Sequence, residues 1–173
     1  EFIKLLNERD FPFSNLKLLA SSRTAGSEVQ VRGKTYKVEE AKADSFNGID
    51  VALFAGGSIS KEFAPIAVKA GAVVIDNSST FRMDPEVPLI VPEVNPQAIL
   101  KHKGIIANPN CSTIIMVMAL KPLYDLSRIK RIIVSTYQAA SGAGKDGLDE
   151  LERQIKQAAA GEEMTANIFP GAA

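Results

Sequence analysis

The chain has 173 residues, of which 46% are hydrophobic and 23% charged, as in an ordinary globular protein with one well-formed core. Twenty basic residues balance twenty acidic ones, so we expect no nucleic-acid partner, and no apolar run is long enough to predict a membrane span. The single Cys and single His exclude an internal disulfide and predict no metal site, and the cytoplasm is the expected compartment.

Helices and strands are predicted to alternate, as judged from apolar periodicity and from the turn residues that bound each element. The chain opens with neither a signal-peptide pattern nor an initiator Met, and Phe2 to Leu6 predicts a helix that ends near Pro12. A strand at 16–20 follows. Alternating apolar residues over 29–38, with Gly33 at the turn, predict a β-hairpin.

The middle of the chain predicts a βαβ unit. Residues 51–55 form a continuous apolar run, which is typical of a strand covered on both faces. Glycines end this run, and Ser58 or Ser60 can cap a helix from about 61 to 69. Another apolar strand is predicted at 73–76, and the crossover between two such strands is expected to be right-handed.

The remaining elements are predicted in the same way. A proline-rich stretch at 85–96 has too many interruptions for a regular element and is expected to be an ordered loop. A short strand is predicted at 104–107 and a strongly apolar helix at 112–124. A further strand at 129–137 and a last helix at 146–160 complete the pattern.

Cys111 lies between an Asn-Pro-Asn turn and the first turn of the predicted apolar helix. Unpaired backbone N–H groups and the helix dipole favour an anion there, so a thiolate at this position would be a good nucleophile. The alternative is that a lone Cys in an apolar region is a small buried hydrophobic residue. The residues alone leave both interpretations open.

Two long motifs follow one another in the chain, Asn-Pro-Asn-Cys-Ser-Thr at 108–113 and Ile-Val-Ser-Thr-Tyr-Gln-Ala-Ala-Ser-Gly-Ala-Gly at 133–144. Three shorter segments, at 19–26, 76–82 and 91–95, precede them. Together these motifs resemble the aspartate-semialdehyde dehydrogenases over nearly the whole chain. The resemblance implies NADPH-dependent reductive dephosphorylation of β-aspartyl phosphate to aspartate β-semialdehyde, a step towards lysine, threonine, methionine and isoleucine.

The resemblance also implies roles for individual residues. Cys111 would attack the acyl phosphate and hold a thioester, while the Asn110 side chain and the helix N-terminus would stabilise negative charge on the carbonyl oxygen. Gln138 matches a glutamine that contacts and orients the substrate. Arg82 matches an arginine that binds the substrate phosphate. The alternative for Arg82 is a structural ion pair with a nearby carboxylate such as Asp84.

NADP is the expected cofactor. The polar turn Ser22, Arg23 and Thr24 follows an early strand, where a dinucleotide fold meets the adenosine ribose. Hydroxyls with an arginine accommodate a 2′-phosphate, whereas an acidic residue there would bind a free 2′-hydroxyl. Four further residues are expected at the cofactor because of their place at a strand end or their resemblance to a family contact, and these are Gly56, Ser58, Ser141 and Gly142.

The predicted architecture is α/β. A doubly wound Rossmann-type nucleotide-binding domain is expected at 1–110, followed at 111–173 by the beginning of an α+β substrate and dimerisation domain, with Cys111 at their junction. The family's opening strand with its Gly-rich turn and its acid–base histidine are expected to lie outside this chain, so the isolated chain is expected to be inactive. His102, between two lysines, is not the expected base.

The expected partners are a small-molecule substrate and phosphate, with a homodimer or homotetramer as the assembly. Two alternatives remain. The first is an acyl-phosphate reductase that resembles N-acetylglutamyl-phosphate reductase, which also has a Cys nucleophile after a similar turn. The second is a nucleotide-binding or oligomerisation module without catalysis.

Overall fold

The structure, a computed structural model, describes residues 2–169, and at Ser58 it describes the backbone only. The chain divides into two compact units, one up to Asn110 and the other from Cys111 onwards. Within the described residues, no helix is long and apolar enough to cross a membrane. The first unit contains, in chain order, α1 (Phe2–Glu8), β1 (Leu18–Ala20), β2 (Glu28–Val31), β3 (Lys34–Glu40), β4 (Val51–Phe54), α2 (Gly57–Lys69), β5 (Val73–Asp76) and β6 (Ile105–Ala107).

The first sheet has the strand order β1-β3-β2 and contains the predicted hairpin. β2 and β3 are antiparallel, and a two-residue turn at Arg32 (φ 50°) and Gly33 (φ 74°) joins them. Such left-handed turns match the twist of the strands that they connect. The Arg32 Nη2 donates to Leu6 O at 2.9 Å and to Phe11 O at 3.0 Å, so the hairpin holds the end of α1.

The second sheet is parallel, with the strand order β4-β5-β6, and α2 connects β4 to β5. This confirms the predicted βαβ unit. Its core lies between α2 and one face of the sheet, where Phe46 stacks on Phe54 at 5.8 Å and lies 5.9 Å from Phe63, ring centre to ring centre. Ala64 and Ala67 are completely buried, and their small side chains let α2 lie close to the strands.

Two details of this unit differ from prediction. β4 is covered on one face only, because Ala52 and Phe54 are buried while Val51 is 54% and Leu53 44% exposed. α2 packs on the buried face, and nothing within the described residues of the first unit, 2–110, buries the other. α2 also begins at Gly57, about four residues earlier than predicted, and continues through Pro65.

Gly104 brings α2 close to the start of β6. Its φ is +104°, which side-chain-bearing residues rarely adopt, and a Cβ there would lie 2.5 Å from Val68 Cγ1 of α2. The Gly104 carbonyl accepts a hydrogen bond of 2.8 Å from Val74 N of β5. Helix and sheet therefore approach one another at a point where only glycine fits both the backbone conformation and the space.

The second unit contains α3 (Cys111–Leu126), a short 3-10 helix (Ala140–Ala143) and α4 (Gly144–Ala160). The strand predicted at 129–137 is wrong, since residues 128–139 belong to no helix or strand. Side chains in this segment are largely exposed, and Tyr137 is fully so. β-Branched residues favour an extended backbone, but a strand also needs a neighbour that shares its hydrogen bonds, and the described residues supply none.

α4 holds the segment that follows it through Glu150, which is buried although most of this unit is exposed. Its carboxylate accepts hydrogen bonds from three successive backbone N–H groups, at 3.0 Å from Asn167, 2.9 Å from Ile168 and 3.3 Å from Phe169. Burial alone would raise the pKa of Glu150, but these three donors and the charge of Arg153 together hold that pKa below its usual value.

We expect acid to release this segment from α4. Because the folded state favours ionised Glu150, its stabilising contribution is complete above the pKa of an unfolded glutamate and is lost as the pH falls through the lowered folded pKa. Glu150→Gln should remove the stabilising contribution of the carboxylate at every pH. Backbone hydrogen exchange at 167–169 should then be about tenfold faster than in the wild type, as measured by mass spectrometry. Glu152→Gln, which alters an exposed pair with Lys156, is the matched control. Equal exchange in both variants would contradict the anchoring role.

Candidate active site

The carboxyl edge of the second sheet gathers three loops. β4 ends before the glycine turn Gly56-Gly57, β5 before Asn77, and β6 before Asn108. Backbone bonds extend the ladder into these loops, from Asn77 N to Phe54 O and from Asn108 N to Asp76 O, both at 2.8 Å. In open α/β sheets, ligands bind outside this edge.

Arg82 lies at this edge and bonds to two of the three loops. Its Nε donates to Asn108 O at 2.8 Å, and its Nη2 donates to Asn77 O at 3.1 Å. Among the described residues, Arg82 and Asp84 do not form the ion pair that was the alternative interpretation. Asp84 Oδ1 instead accepts a hydrogen bond from Glu86 N at 2.9 Å. Two main-chain oxygens thus fix the guanidinium. These two bonds use Nε and Nη2 and do not involve Nη1.

Sequence reasoning missed Asp76, which is fully buried at the end of β5. Its Oδ1 accepts from Ser60 Oγ at 2.7 Å and from Ser78 N at 3.1 Å, and its Oδ2 accepts from Ser78 Oγ at 2.8 Å. Ser60 is therefore not the predicted helix cap, since it lies inside α2 and faces the sheet. An acidic residue that closes an apolar strand and is followed by hydroxyl residues was the available signal.

The other residues predicted for the cofactor in the first unit lie at strand ends. Ser22, Arg23 and Thr24 are exposed in a turn directly after β1. Gly56 is exposed and precedes the first residue of α2. Ser58 lies in the first turn of α2, and its side chain is outside the described residues. The positions agree with the pattern of a dinucleotide fold, in which turns after parallel strands meet the ligand.

Three of the predicted residues, Cys111, Gln138 and Gly142, lie together in the second unit. Cys111 is exposed and is the first residue of α3, and its Sγ lies 3.7 Å from Gln138 Oε1 in a thiol-to-amide hydrogen bond. Ser112 Oγ lies 3.4 Å from the same oxygen. A Cβ at Gly142 would overlap the Gln138 side chain, so the glycine leaves room for that amide beside the thiol.

The Gln138 amide can serve both protonation states of Cys111. Its oxygen accepts from the neutral thiol, and after rotation of the amide its NH₂ can donate to a thiolate or to a carbonyl oxygen beside the sulfur. A neutral group with a donor and an acceptor suits a centre at which negative charge moves from sulfur to oxygen.

The remaining predicted residues have simpler surroundings. Asn110 is exposed and has an interaction partner in the structure, and Ser141 is exposed in the 3-10 helix before α4. His102 accepts a hydrogen bond at Nδ1 from Gly104 N at 3.1 Å, which gives it a local role in the turn before β6.

Comparison with known proteins assigns this arrangement to a class. Residues 1–102 match the family described as semialdehyde dehydrogenase, NAD binding domain, and residues 120–172 match semialdehyde dehydrogenase, dimerisation domain. The matched class consists of oxidoreductases that bind a nicotinamide dinucleotide on a Rossmann-type domain. This class agrees with the predicted α/β fold. The chain belongs to the semialdehyde dehydrogenase family, and its predicted resemblance to the aspartate-semialdehyde dehydrogenases is confirmed.

Individual relatives carry that name. Aspartate-semialdehyde dehydrogenase of Aquifex aeolicus is 58% identical over 98% of this chain and 51% of its own length. A crystal structure of aspartate semialdehyde dehydrogenase II from Vibrio cholerae, complexed with ASA, is 48% identical with a TM-score of 0.86, over 98% of this chain and 51% of that one. The enzyme with NADP from Candida albicans is 27% identical with a TM-score of 0.58, over 74% and 44%. The chain spans about half the length of the curated relatives that it matches.

Proposed function

We propose that this protein catalyses the NADP-dependent reductive dephosphorylation of β-aspartyl phosphate to aspartate β-semialdehyde, with Cys111 as the nucleophile. The observation that carries the proposal is the hydrogen-bonded pair of Cys111 and Gln138 at the start of α3, in a chain of this family. An exposed thiol at a helix N-terminus, beside an amide that can orient a carbonyl, fits an acyl-transfer centre.

The proposed reaction proceeds in two steps at Cys111. The thiolate attacks the acyl carbon, a C–S bond forms, and the C–O bond to phosphate breaks with its electron pair leaving on phosphate. A dinucleotide held by the first unit would supply a hydride to the thioester, and the C–S bond would then break with its electron pair on sulfur, which would restore the Cys111 thiolate. The Asn110 side chain, the first N–H groups of α3 and the Gln138 amide stabilise charge on the carbonyl oxygen.

The first unit, residues 1–110, is proposed to bind the dinucleotide. Gly56 and Gly57 are exposed at the N-terminus of α2, and a Cβ on either would have no protein atom nearer than 3.9 Å, so a ligand can approach their backbone. We assign Ser22, Arg23 and Thr24 to the 2′-phosphate, because a cation and hydroxyls suit that group. NADP in the Candida albicans relative supports the same choice.

The second unit, residues 111–173, is proposed to carry the catalytic cysteine and to form a homodimer or homotetramer. Its match to a dimerisation domain supports this. Its described apolar side chains are also widely exposed, as with Ile115 on α3 at 72% and Ile155 on α4 at 59%. We place the protein in the cytoplasm, and this placement rests on the proposed biosynthetic function.

Arg82→Lys should weaken phosphate binding by about tenfold or more, equivalent to roughly 1.5–3 kcal/mol for a charged hydrogen bond. An ammonium group cannot span the carbonyls of Asn77 and Asn108 and still present a planar fork to phosphate. The measurement is inorganic phosphate affinity by calorimetry. Asp84→Asn is the control, and it should leave phosphate affinity unchanged; an equal loss in that variant would show that the conformation of the loop, and not the arginine, sets phosphate affinity.

The test of the proposed function is a turnover assay on the protein at its natural length. NADP reduction should require both aspartate semialdehyde and phosphate, and NAD should support it more weakly. N-Acetylglutamate semialdehyde is the competing substrate, and a preference for it would assign the protein to the other acyl-phosphate reductases. Bound NADP without turnover of either aldehyde would favour a binding module.

A further inference from the structure

Asp76 is a buried carboxylate that the proposed reaction does not use. Its exposure is 0%, and within the described part of the chain no basic side chain forms an ion pair with it. Three donors from Ser60 and Ser78 surround it instead. Burying a carboxylate is costly unless hydrogen bonds replace its water, so this arrangement needs a reason beyond packing.

One side of the Asp76 carboxylate holds the glycine turn. Ser60 Oγ donates to Asp76 Oδ1 at 2.7 Å, and the same hydroxyl lies 2.7 Å from Gly56 O. Ser60 N also donates to Gly56 O at 2.7 Å. The first turn of α2, together with the backbone proposed to receive the dinucleotide, is thus fixed against the end of β5.

The other side of the carboxylate holds the loop that carries Arg82. Ser78 Oγ accepts from Thr80 N at 3.1 Å, and Thr80 Oγ1 donates to Gly57 O at 3.0 Å. Arg82 follows two residues later and is bonded to the carbonyl next to Asp76, that of Asn77. The two Asp76 oxygens accept from Ser60 Oγ, Ser78 N and Ser78 Oγ, so they set the direction in which the two serine hydroxyls donate.

We propose that Asp76 is a positioning residue that couples the glycine turn to the Arg82 loop, so that the dinucleotide and phosphate sites are set by one buried group. The inference rests on the proposed function, because that function assigns the two ligands to Gly56-Gly57 and Arg82. Asp76 itself touches neither ligand. Its effect passes through the hydroxyls of Ser60, Ser78 and Thr80.

The test is Asp76→Asn in the protein at its natural length. The amide oxygen can stay opposite Ser60 and Ser78 N, but the NH₂ group then faces the Ser78 hydroxyl, which must turn its proton away. The dissociation constants of NADP and of inorganic phosphate should each rise about fivefold or more, since the hydrogen bond that Asp76 Oδ2 accepts from Ser78 Oγ is lost. Iodoacetamide should label Cys111 at the wild-type rate, and an unchanged circular dichroism spectrum and melting temperature would exclude a general loss of folding.

Asp84→Asn, the same change on the exposed part of the Arg82 loop, is the control and should leave both constants within about twofold of wild type. The coupling is overturned if Asp76→Asn matches this control, or if only one of the two ligands binds more weakly. Failure of the wild-type protein to bind either ligand would instead refute the proposed function.

Ser60→Ala and Ser78→Ala keep the test decisive if Asp76→Asn does not fold. Ser60→Ala should weaken NADP alone, because it removes the hydrogen bond that ties the first turn of α2 to Asp76, whereas Ser78→Ala should weaken both ligands. The expected changes are again about fivefold. Wild-type affinities in both serine variants would overturn the proposal.

Discussion

Cys111→Ser should lower turnover roughly 10⁴-fold or more while NADP affinity stays at its wild-type value. A serine hydroxyl at this position is a far weaker nucleophile than a thiolate, and the structure supplies no neighbouring base to activate it among the described residues, where Gln138 is the nearest partner. The measurement combines steady-state turnover with intact-mass spectrometry after mixing with β-aspartyl phosphate. Wild type should gain the mass of the acyl group, and Cys111→Ser should not.

Ser112→Ala is the matched control for this prediction. Ser112 also bonds to Gln138 Oε1, at 3.4 Å, but its hydroxyl is not the proposed nucleophile. The variant should still form the acyl adduct, even if its turnover is reduced by a misplaced amide. An acyl adduct on Cys111→Ser, or its loss in Ser112→Ala alone, would move the nucleophile away from Cys111.

Gly104→Ala should lower the free energy of unfolding by roughly 3 kcal/mol or more. The added methyl would meet Val68 Cγ1 at 2.5 Å, and the φ of +104° disfavours any side chain. Urea unfolding measures the loss. Gly71→Ala is the control, because its φ of +100° carries a similar backbone cost, about 1–3 kcal/mol, with no atom within 4 Å of the new methyl.

Val68→Ala separates the two causes at Gly104. When Gly104→Ala is combined with Val68→Ala, the added methyl no longer overlaps Val68. The free energy of unfolding of the double variant should then fall by only two terms, the backbone cost at Gly104 and the loss measured for Val68→Ala alone. Strict additivity of the two single variants would show that the contact with Val68 contributes nothing. The whole loss would then arise from the backbone conformation.

The alternation of strands and helices was predictable because it depends on local signals. The apolar run at 73–76 became β5 with the same bounds, and the glycine after Val31 and Arg32 produced the expected two-residue turn. Cys111 at a helix start was predictable for the same reason, since a Pro-containing turn followed by apolar residues predicts a helix N-terminus.

Features that depend on distant neighbours were not predictable. The strand expected at 129–137 failed because residue type favours extension but cannot supply a pairing partner. The predicted start of α2 was about four residues late because Ser58 or Ser60 was the expected cap, whereas the helix is capped at Gly56 without any side-chain hydrogen bond. The bonds of Asp76 to Ser60 join residues sixteen positions apart, and no periodicity reports such a pairing.

The two bonds that hold Arg82 end on main-chain carbonyls, those of Asn77 and Asn108. Every amino acid offers the same carbonyl, so mutations at those two positions leave the anchoring of the arginine intact as long as the strands keep their register. The orientation of the guanidinium is therefore set by where the backbone places positions 77 and 108, and the side chains of these two residues are hydrogen-bonded to each other as well. A shift of β5 against β6 would move both carbonyls and turn the arginine, even with every side chain unchanged.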